Sequence, residues 1–339
     1  MSDFTDNKLN LANITALVTG ASGRIGQRVA AELISAGARV RTVSIPSDPA
    51  RPNIPAGVEI VEGFVYEKAV VELATAGIDV LVHLAALMGG APEGLFEVNV
   101  RGTYLLLDAL AERAPDIKRI VLASSDEVYP ALNKLSENVE TDDLKPHSFY
   151  GVTKQIDEVL GDFYGRAHGL PVTIARFSLT ATAEEMSRHD GASGGFFFAS
   201  GMRNLMVSLG RLDAVKMIDD AIPDLESTLI LPYDNDGEPY VFQFCDVRDL
   251  AVGLVQLLRE PRTIGGTFNF SGPVPADYSV VVPALSARLG VPYISLTLPG
   301  ERFNIRTDTS RARNTFSYEP SHDPLSIIEE LHPVVATGS

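Results

Sequence analysis

Along the first half of the chain the spacing of apolar positions switches back and forth between two periods. ITALVT (14–19) is a short β-branched run that ends at a glycine. In the following RIGQRVAAELISAG, Ile25, Val29, Leu33 and Ala36 fall on one helical stripe, and Gly37 stands where a helix would stop. ARVRTVSI then reads as a strand, YEKAVVELATAG as a helix and IDVLVHLAA as a strand. GLFEVNVRGTYLLLDALAERA reads as one long helix and IKRIVLASS as a further strand. Strands and helices taking turns at this rhythm imply right-handed βαβ units, and hence an α/β protein with a doubly wound parallel sheet.

The rhythm fails near residue 178. SLTATAEEMSRHDGASGGFFFASG mixes polar, glycine-rich and aromatic stretches, and PYDNDGEPY is rich in turn residues. Residues 241–272 regain the alternating character in YVFQFCDVRDLAVGLVQLL and the strand GTFNFSG. The division expected is a larger nucleotide-binding domain, 1–178 plus 241–272, and a smaller C-terminal lobe, 179–240 plus 273–332. Linkers are polar, whereas this interruption carries Phe196, Phe197 and Phe198 in a row, so it reads as a substrate-binding insertion. No repeat and no low-complexity segment is found.

Composition narrows the classes of partner. The 339 residues are 45% hydrophobic and 21% charged, as in globular proteins, and 28 basic against 44 acidic residues give a net charge of −16. Such a surface argues against nucleic acid or an anionic membrane as a partner. A single cysteine, Cys245, rules out an internal disulfide and suits a reducing compartment. It has no neighbouring ligands at metal-binding spacing, so no metal is expected. The N-terminal MSDFTDNKLN lacks the apolar core of a signal peptide, and no 18-residue apolar run exists to span a bilayer. A cytoplasmic protein acting on a small molecule is expected.

VTGASGRIG (18–26) closes the first strand and opens the first helix. Gly20 permits the tight turn, Gly23 lets backbone approach a pyrophosphate, and Gly26 lets the helix pack closely. The helix N-terminus then presents unpaired amides and the positive end of its dipole. Ser22, Arg24 and Ile25 complete this cradle, which marks a Rossmann-type nucleotide-binding fold. The choice between NAD and NADP stays open. Ser44 stands where an acidic residue at the end of the second strand would bind the adenosine ribose, and Arg24, Arg41 and Arg51 are within reach of a 2′-phosphate.

YGVTK places Tyr150 and Lys154 one helical turn apart on a common face. A phenol is a poor acid–base at neutral pH unless a cation stabilises its phenolate, and a lysine one turn on supplies that cation. With this pair, the glycine loop, DVLVHLAA (79–86), NVRGT (99–103), the serine-rich strand end VLASSDEVYP, CDVRDLA (245–251), FNFSG (268–272) and a degenerate DTSRARNTFSYEP (308–320), the chain resembles the extended short-chain dehydrogenases/reductases, the NAD-dependent epimerase/dehydratase family. The resemblance spans roughly residues 12–330.

It implies an NAD(P)-dependent oxidoreductase acting on a secondary alcohol or ketone of a sugar-like, polyhydroxylated molecule. Tyr150 would be the general acid–base. Lys154 would lower its pKa and bind the nicotinamide ribose. Ser125 would hold the substrate oxygen, and Asn99 would support the proton path. Leu84, Ala85 and Ala86 would border the cofactor, and a homodimer is expected. Ser124 reads as a packing or cofactor-side residue and His83 as a structural histidine. Asp126 and Glu127 resemble the acid and base of nucleotide-sugar 4,6-dehydratases, which makes such a lyase an alternative, beside epimerisation through a transient ketone and, more remotely, a non-catalytic dinucleotide sensor. Two departures count against elimination: SLTATAEE follows TIARF where the nucleotide-sugar enzymes show an Asn-x-Tyr-Gly-Pro-like stretch, and Gly63-Phe64 replaces glycine–aspartate. Arg203, Arg211, Lys216 and Arg306 are candidates for an anionic substrate group.

Overall fold

The computed structural model describes residues 8–331 except 115, 131–135 and 192–193. Most of the N-terminal stretch read above for a signal sequence, and position 332 at the end of the expected lobe, lie outside the described residues.

The strands are β1 (Thr15–Thr19), β2 (Arg39–Ser44), β3 (Glu59–Glu62), β4 (Val80–His83), β5 (Arg119–Ser125), β6 (Val172–Phe177), β7 (Leu179–Ala181), β8 (Leu229–Tyr233), β9 (Val241–Phe242), β10 (Phe244–Asp246), β11 (Thr267–Phe270), β12 (Ala276–Asp277) and β13 (Tyr293–Thr297). The helices are α1 (Arg24–Ser35), α2 (Lys68–Thr75), α3 (Pro92–Leu95), α4 (Gly102–Arg113), α5 (Phe149–His168), α6 (Ala183–Met186), α7 (Ala199–Ser208), α8 (Leu212–Ala221), α9 (Val247–Arg259), α10 (Tyr278–Leu289), α11 (Ser310–Phe316) and α12 (Pro324–Glu330). The long helix expected over 94–114 is divided: a π-helical stretch, Phe96–Arg101, joins α3 to α4 and carries Asn99. Such widened turns recur at functional positions.

Seven strands form one parallel sheet in the order β11-β6-β5-β4-β1-β2-β3. Alternate residues of each strand feed opposite faces. Val18, Val82 and Val121 join the apolar layer under α1 and α9, while Leu17, Leu81 and Leu122 join the layer under α2, α4 and α5. Between β1 and β4 the strand order reverses, and the crevice at their carboxyl ends is where such sheets bind ligands.

A third apolar cluster belongs to the smaller lobe and is built around Phe197, Tyr240, Phe242, Tyr278 and Phe303. Phe197 and Phe198 are buried in it. Two of the three phenylalanines that set this stretch apart from a linker therefore form part of the smaller lobe's core. The stretch from Ala312 to Tyr318 also departs from expectation. Ala312, Phe316 and Tyr318 pack on the large sheet, with Phe316 5.4 Å from the Phe268 ring and Tyr318 4.9 Å from the Phe270 ring.

Candidate active site

The turn after β1 is drawn tight against the end of β4. Gly20 has φ +73°, and a Cβ there would stand 3.0 Å from the Ala85 amide nitrogen; a Cβ on Gly26 would lie 2.1 Å from the Gly20 carbonyl oxygen. Gly23 caps α1 without a side-chain hydrogen bond, so the amides of the first turn are available to an anion. A cavity of about 710 Å³ opens above this loop. Its walls include Gly20, Ser22, Gly23, Leu84, Ala85 and Ala86, and it runs past Ser44 and Ile45 to Asp48, Gly63 and Phe64. Bare backbone at one end and a long half-apolar trough at the other fit a dinucleotide. Ile25 faces away, packed against the α1–α9 layer.

The three arginines considered for a 2′-phosphate are all engaged elsewhere. Arg51 pairs with Glu62 at 2.6 Å, and Arg41 pairs with Glu59 at 3.0 Å while donating to the Ala74 and Ala76 carbonyls. Arg24 reaches out of the glycine loop to the smaller lobe, where its Nη1 is 2.6 Å from Glu185 Oε1. Glu185 is fixed for that contact by the capping box it forms with Thr182 at the start of α6. Asp48, which pattern alone does not single out, is one of three carboxylates on the cavity wall, with Glu93 and Glu97; it lies beyond the end of β2, in a loop.

At the other end of the crevice β5 delivers Ser125 and α5 delivers Tyr150. Ser125 stands beside the Tyr150 phenol; its hydroxyl donates to Asp126 Oδ1 at 3.4 Å and accepts from the Glu127 amide at 3.2 Å. Burial, then the carboxylates of Glu127, Asp126 and Asp157, push the phenol well above its ordinary pKa, with Ser125 opposing. Asp126 is pushed up to about 8, first by burial and then by Glu127, so it holds its proton at neutral pH. Glu127 Oε2 instead accepts from Ser148, whose oxygen in turn accepts from the Gly151 amide and caps α5. Of the two acids, one is left toward the crevice and the other is built into the helix start. Ser124 points the opposite way and donates to Glu158 at 2.5 Å, the packing side of the two places expected for it.

Lys154 is buried, and its Nζ lies 3.0 Å from Asp157 Oδ2. Beneath it runs a polar chain whose hydrogens can be placed. Thr19 Oγ1 accepts from the Leu84 and Ala85 amides at 3.1 Å each, so its one hydrogen goes to His83 Nδ1 at 2.7 Å. His83 Nε2 therefore carries the ring hydrogen and donates to Thr103 at 3.1 Å, and Thr103 donates to the Asn99 carbonyl at 2.6 Å. Burial and the nearby Lys154 hold the imidazole pKa near 3, so His83 is a neutral structural histidine. The Asn99 amide is fully occupied: Oδ1 accepts from Leu87 N, while Nδ2 donates to Leu87 O and to Thr153. Asn99 thus locks the 84–87 loop to α5 rather than relaying a proton. Asp157, like Asp48, was not anticipated, although its spacing from Lys154 and Tyr150 was a legible signal.

The candidates for an anionic substrate group mostly turn elsewhere. Arg203 pairs with Asp219 and Lys216 with Asp220 on the surface, and Arg211 donates to the Glu301 carbonyl. These three therefore do not join the crevice, because a nearer carboxylate or carbonyl holds each. Arg306 is half-buried and donates to Asn304, next to the backbone pairing of Asn138 with Thr307.

A parallel sheet with a glycine cradle at its switch point and a Ser–Tyr–Lys group at the neighbouring strand ends defines a nicotinamide-dinucleotide protein of the short-chain dehydrogenase kind. Residues 16–270 match the NAD dependent epimerase/dehydratase family, and the chain belongs to it. A short-chain dehydrogenase/reductase superfamily protein from Agrobacterium tumefaciens, solved with bound NAD, superposes with a TM-score of 0.83 at 32% identity, covering 93% of this chain and 95% of that one. The L-arabinose 1-dehydrogenase (NAD(P)(+)) of Haloferax volcanii is 33% identical over 50% of this chain and 68% of its own. The UDP-glucose 4-epimerase of Streptomyces lividans is 28% identical over 93% of this chain and 94% of its own.

Proposed function

We propose that the protein is an NAD-dependent dehydrogenase that interconverts a secondary alcohol and a ketone on a sugar-like molecule. The observation that carries this reading is Ser125 at the end of β5 beside the Tyr150 phenol, with Lys154 one turn further along α5. The bound dinucleotide would supply the hydride acceptor. In the oxidative direction Ser125 holds the substrate oxygen, and Tyr150 as phenolate takes the hydroxyl proton while the carbon–hydrogen bond breaks. In the reductive direction the phenol returns that proton to the carbonyl oxygen. Asn99 keeps the loop and helix at fixed separation.

NAD is the cofactor this site favours over NADP. Asp48 on the adenosine wall suits a ribose diol and repels a 2′-phosphate, and the Arg24, Arg41 and Arg51 side chains are each engaged by a carboxylate. The test is a panel of aldoses, sugar acids and polyols offered with NAD. Net formation of reduced nicotinamide, one per substrate consumed, is expected. Isomerisation of a sugar with no net reduced cofactor would instead identify an epimerase, and loss of water from it with none a lyase. A protonated Asp126 beside the substrate oxygen supports elimination as the second reading; Glu127, held by Ser148, weighs against it.

A further inference from the structure

The face of α5 that carries Tyr150 and Lys154 continues to Asp157. Positions 150, 154 and 157 follow the i, i+4, i+7 pattern, so their side chains stack along one side of the helix. Lys154 and Asp157 are 3% and 2% exposed and form an ion pair at 3.0 Å. Placing two charges out of water is costly, and a cation meant only to serve a phenolate needs no second anion. Asp157 Oδ1 is buried without a hydrogen-bond partner among the described residues. Thr103 stands beside this carboxyl, but its hydrogen goes to the Asn99 carbonyl.

The other charged or titratable groups around the phenol and this pair come from three elements. The turn after β5 brings Asp126 and Glu127, and β4 brings His83, which is neutral. On α5 itself lies Glu158, tied to Arg176 of β6 at 2.7 Å. Lys154 is the cation of this set one turn from Tyr150, so whatever shares its charge bears directly on the phenol.

This inference rests on the reading of Ser125, Tyr150 and Lys154 as the proton-transfer site. We propose that Asp157 is a positioning residue that holds the Lys154 ammonium on the buried side of α5 and withholds part of its charge from the Tyr150 phenolate. Tyr150 is thereby biased toward the protonated phenol, the form that gives a proton to a substrate carbonyl. Alcohol oxidation, which requires the phenolate, is displaced toward alkaline pH. Asp157 acts on the phenol in the same direction as Asp126 and Glu127.

The test is an absorbance titration of the phenolate band on the full chain without substrate. Removing the carboxylate takes a negative charge away from the phenol and frees the ammonium, which lowers a neighbouring pKa by about one unit or more. Asp157→Asn should show one tyrosine ionising about one pH unit or more below its wild-type position. Asp157→Asn combined with Tyr150→Phe should lose it, and Asp157→Glu, which restores the charge, should titrate as wild type. Wherever oxidation can be followed, the acidic limb of its pH profile should move down in Asp157→Asn. A folded Asp157→Asn protein with the wild-type titration would overturn the proposal. Should that variant not fold, an extra low ionisation in Asp157→Glu would overturn it equally. No turnover enters the titration, so its failure is separate from failure to find a dehydrogenase activity.

Discussion

A half-buried carboxyl group beside a second carboxylate keeps its proton to unusually high pH, and Asp126 is pushed up to about 8. Because its pKa rises on folding, stability is full below the ordinary carboxylate range and declines as pH climbs through about 8. Urea unfolding of Asp126→Asn should lose that part of the decline; an unchanged slope would mean Asp126 is not shielded. Glu127 separates the two chemical readings. Its conversion to Gln keeps size and one acceptor but cannot take a proton at neutral pH. Hydride exchange should therefore persist in Glu127→Gln. Single-turnover accumulation of reduced cofactor in the variant alone would make Glu127 an elimination base and the protein a dehydratase. For Asp48, replacement by Ser should weaken NAD binding and narrow its advantage over NADP in calorimetric titration. Equal NAD and NADP affinity in the wild type would refute the assignment.

At the scale of elements, α5 is pinned from two sides. Arg176 of β6 grips Glu158 with two nitrogens at 2.8 and 2.7 Å and also donates to Tyr129, while Ser124 of β5 donates to the same carboxylate. Removing one member leaves a buried charge unpaired, so Arg176→Met should cost about 3–5 kcal/mol in unfolding free energy. A loss below about 1 kcal/mol, the scale of an exposed pair, would mean the bridge is not anchoring the helix. The strands, α1 and the glycine cradle could be read in the sequence because their signals are local: β-branched runs, a helical stripe, glycines at fixed offsets. So could Tyr150 and Lys154, which share one helix. The fates of Arg24, Arg51 and Arg203 could not, because each is decided by a carboxylate that folding brings near. The π-helical turn at Asn99 was hidden for a related reason, since that amide is held by Leu87 and by Thr153 on another helix. The place of Phe197 and Phe198 was not legible either, because an aromatic run looks alike in a core and in a pocket.

Taken whole, the molecule packs two apolar layers on the large sheet and a third in the smaller lobe, with Arg24 and Glu185 tying the glycine loop to that lobe. No helix among the described residues is long and apolar enough to cross a membrane. Tyr104 on α4 and Val159 and Phe163 on α5 leave an apolar strip in the open, 42%, 63% and 48% exposed, rimmed by the Arg166–Asp162 pair. We propose that a second copy of the chain covers it, an apolar centre with a charged rim being the usual anatomy of such a contact. Phe163→Glu should then sediment as a monomer where the wild type is a dimer; a monomeric wild type would remove the proposal. The account as a whole turns on Tyr150, and its most direct test compares NAD reduction by wild type and Tyr150→Phe on the sugar substrate found in the panel. Loss of a general acid–base costs at least about a hundredfold in turnover, and the variant should bind NAD as the wild type does. Near-normal turnover in Tyr150→Phe would contradict the assignment of this crevice as the site of proton transfer.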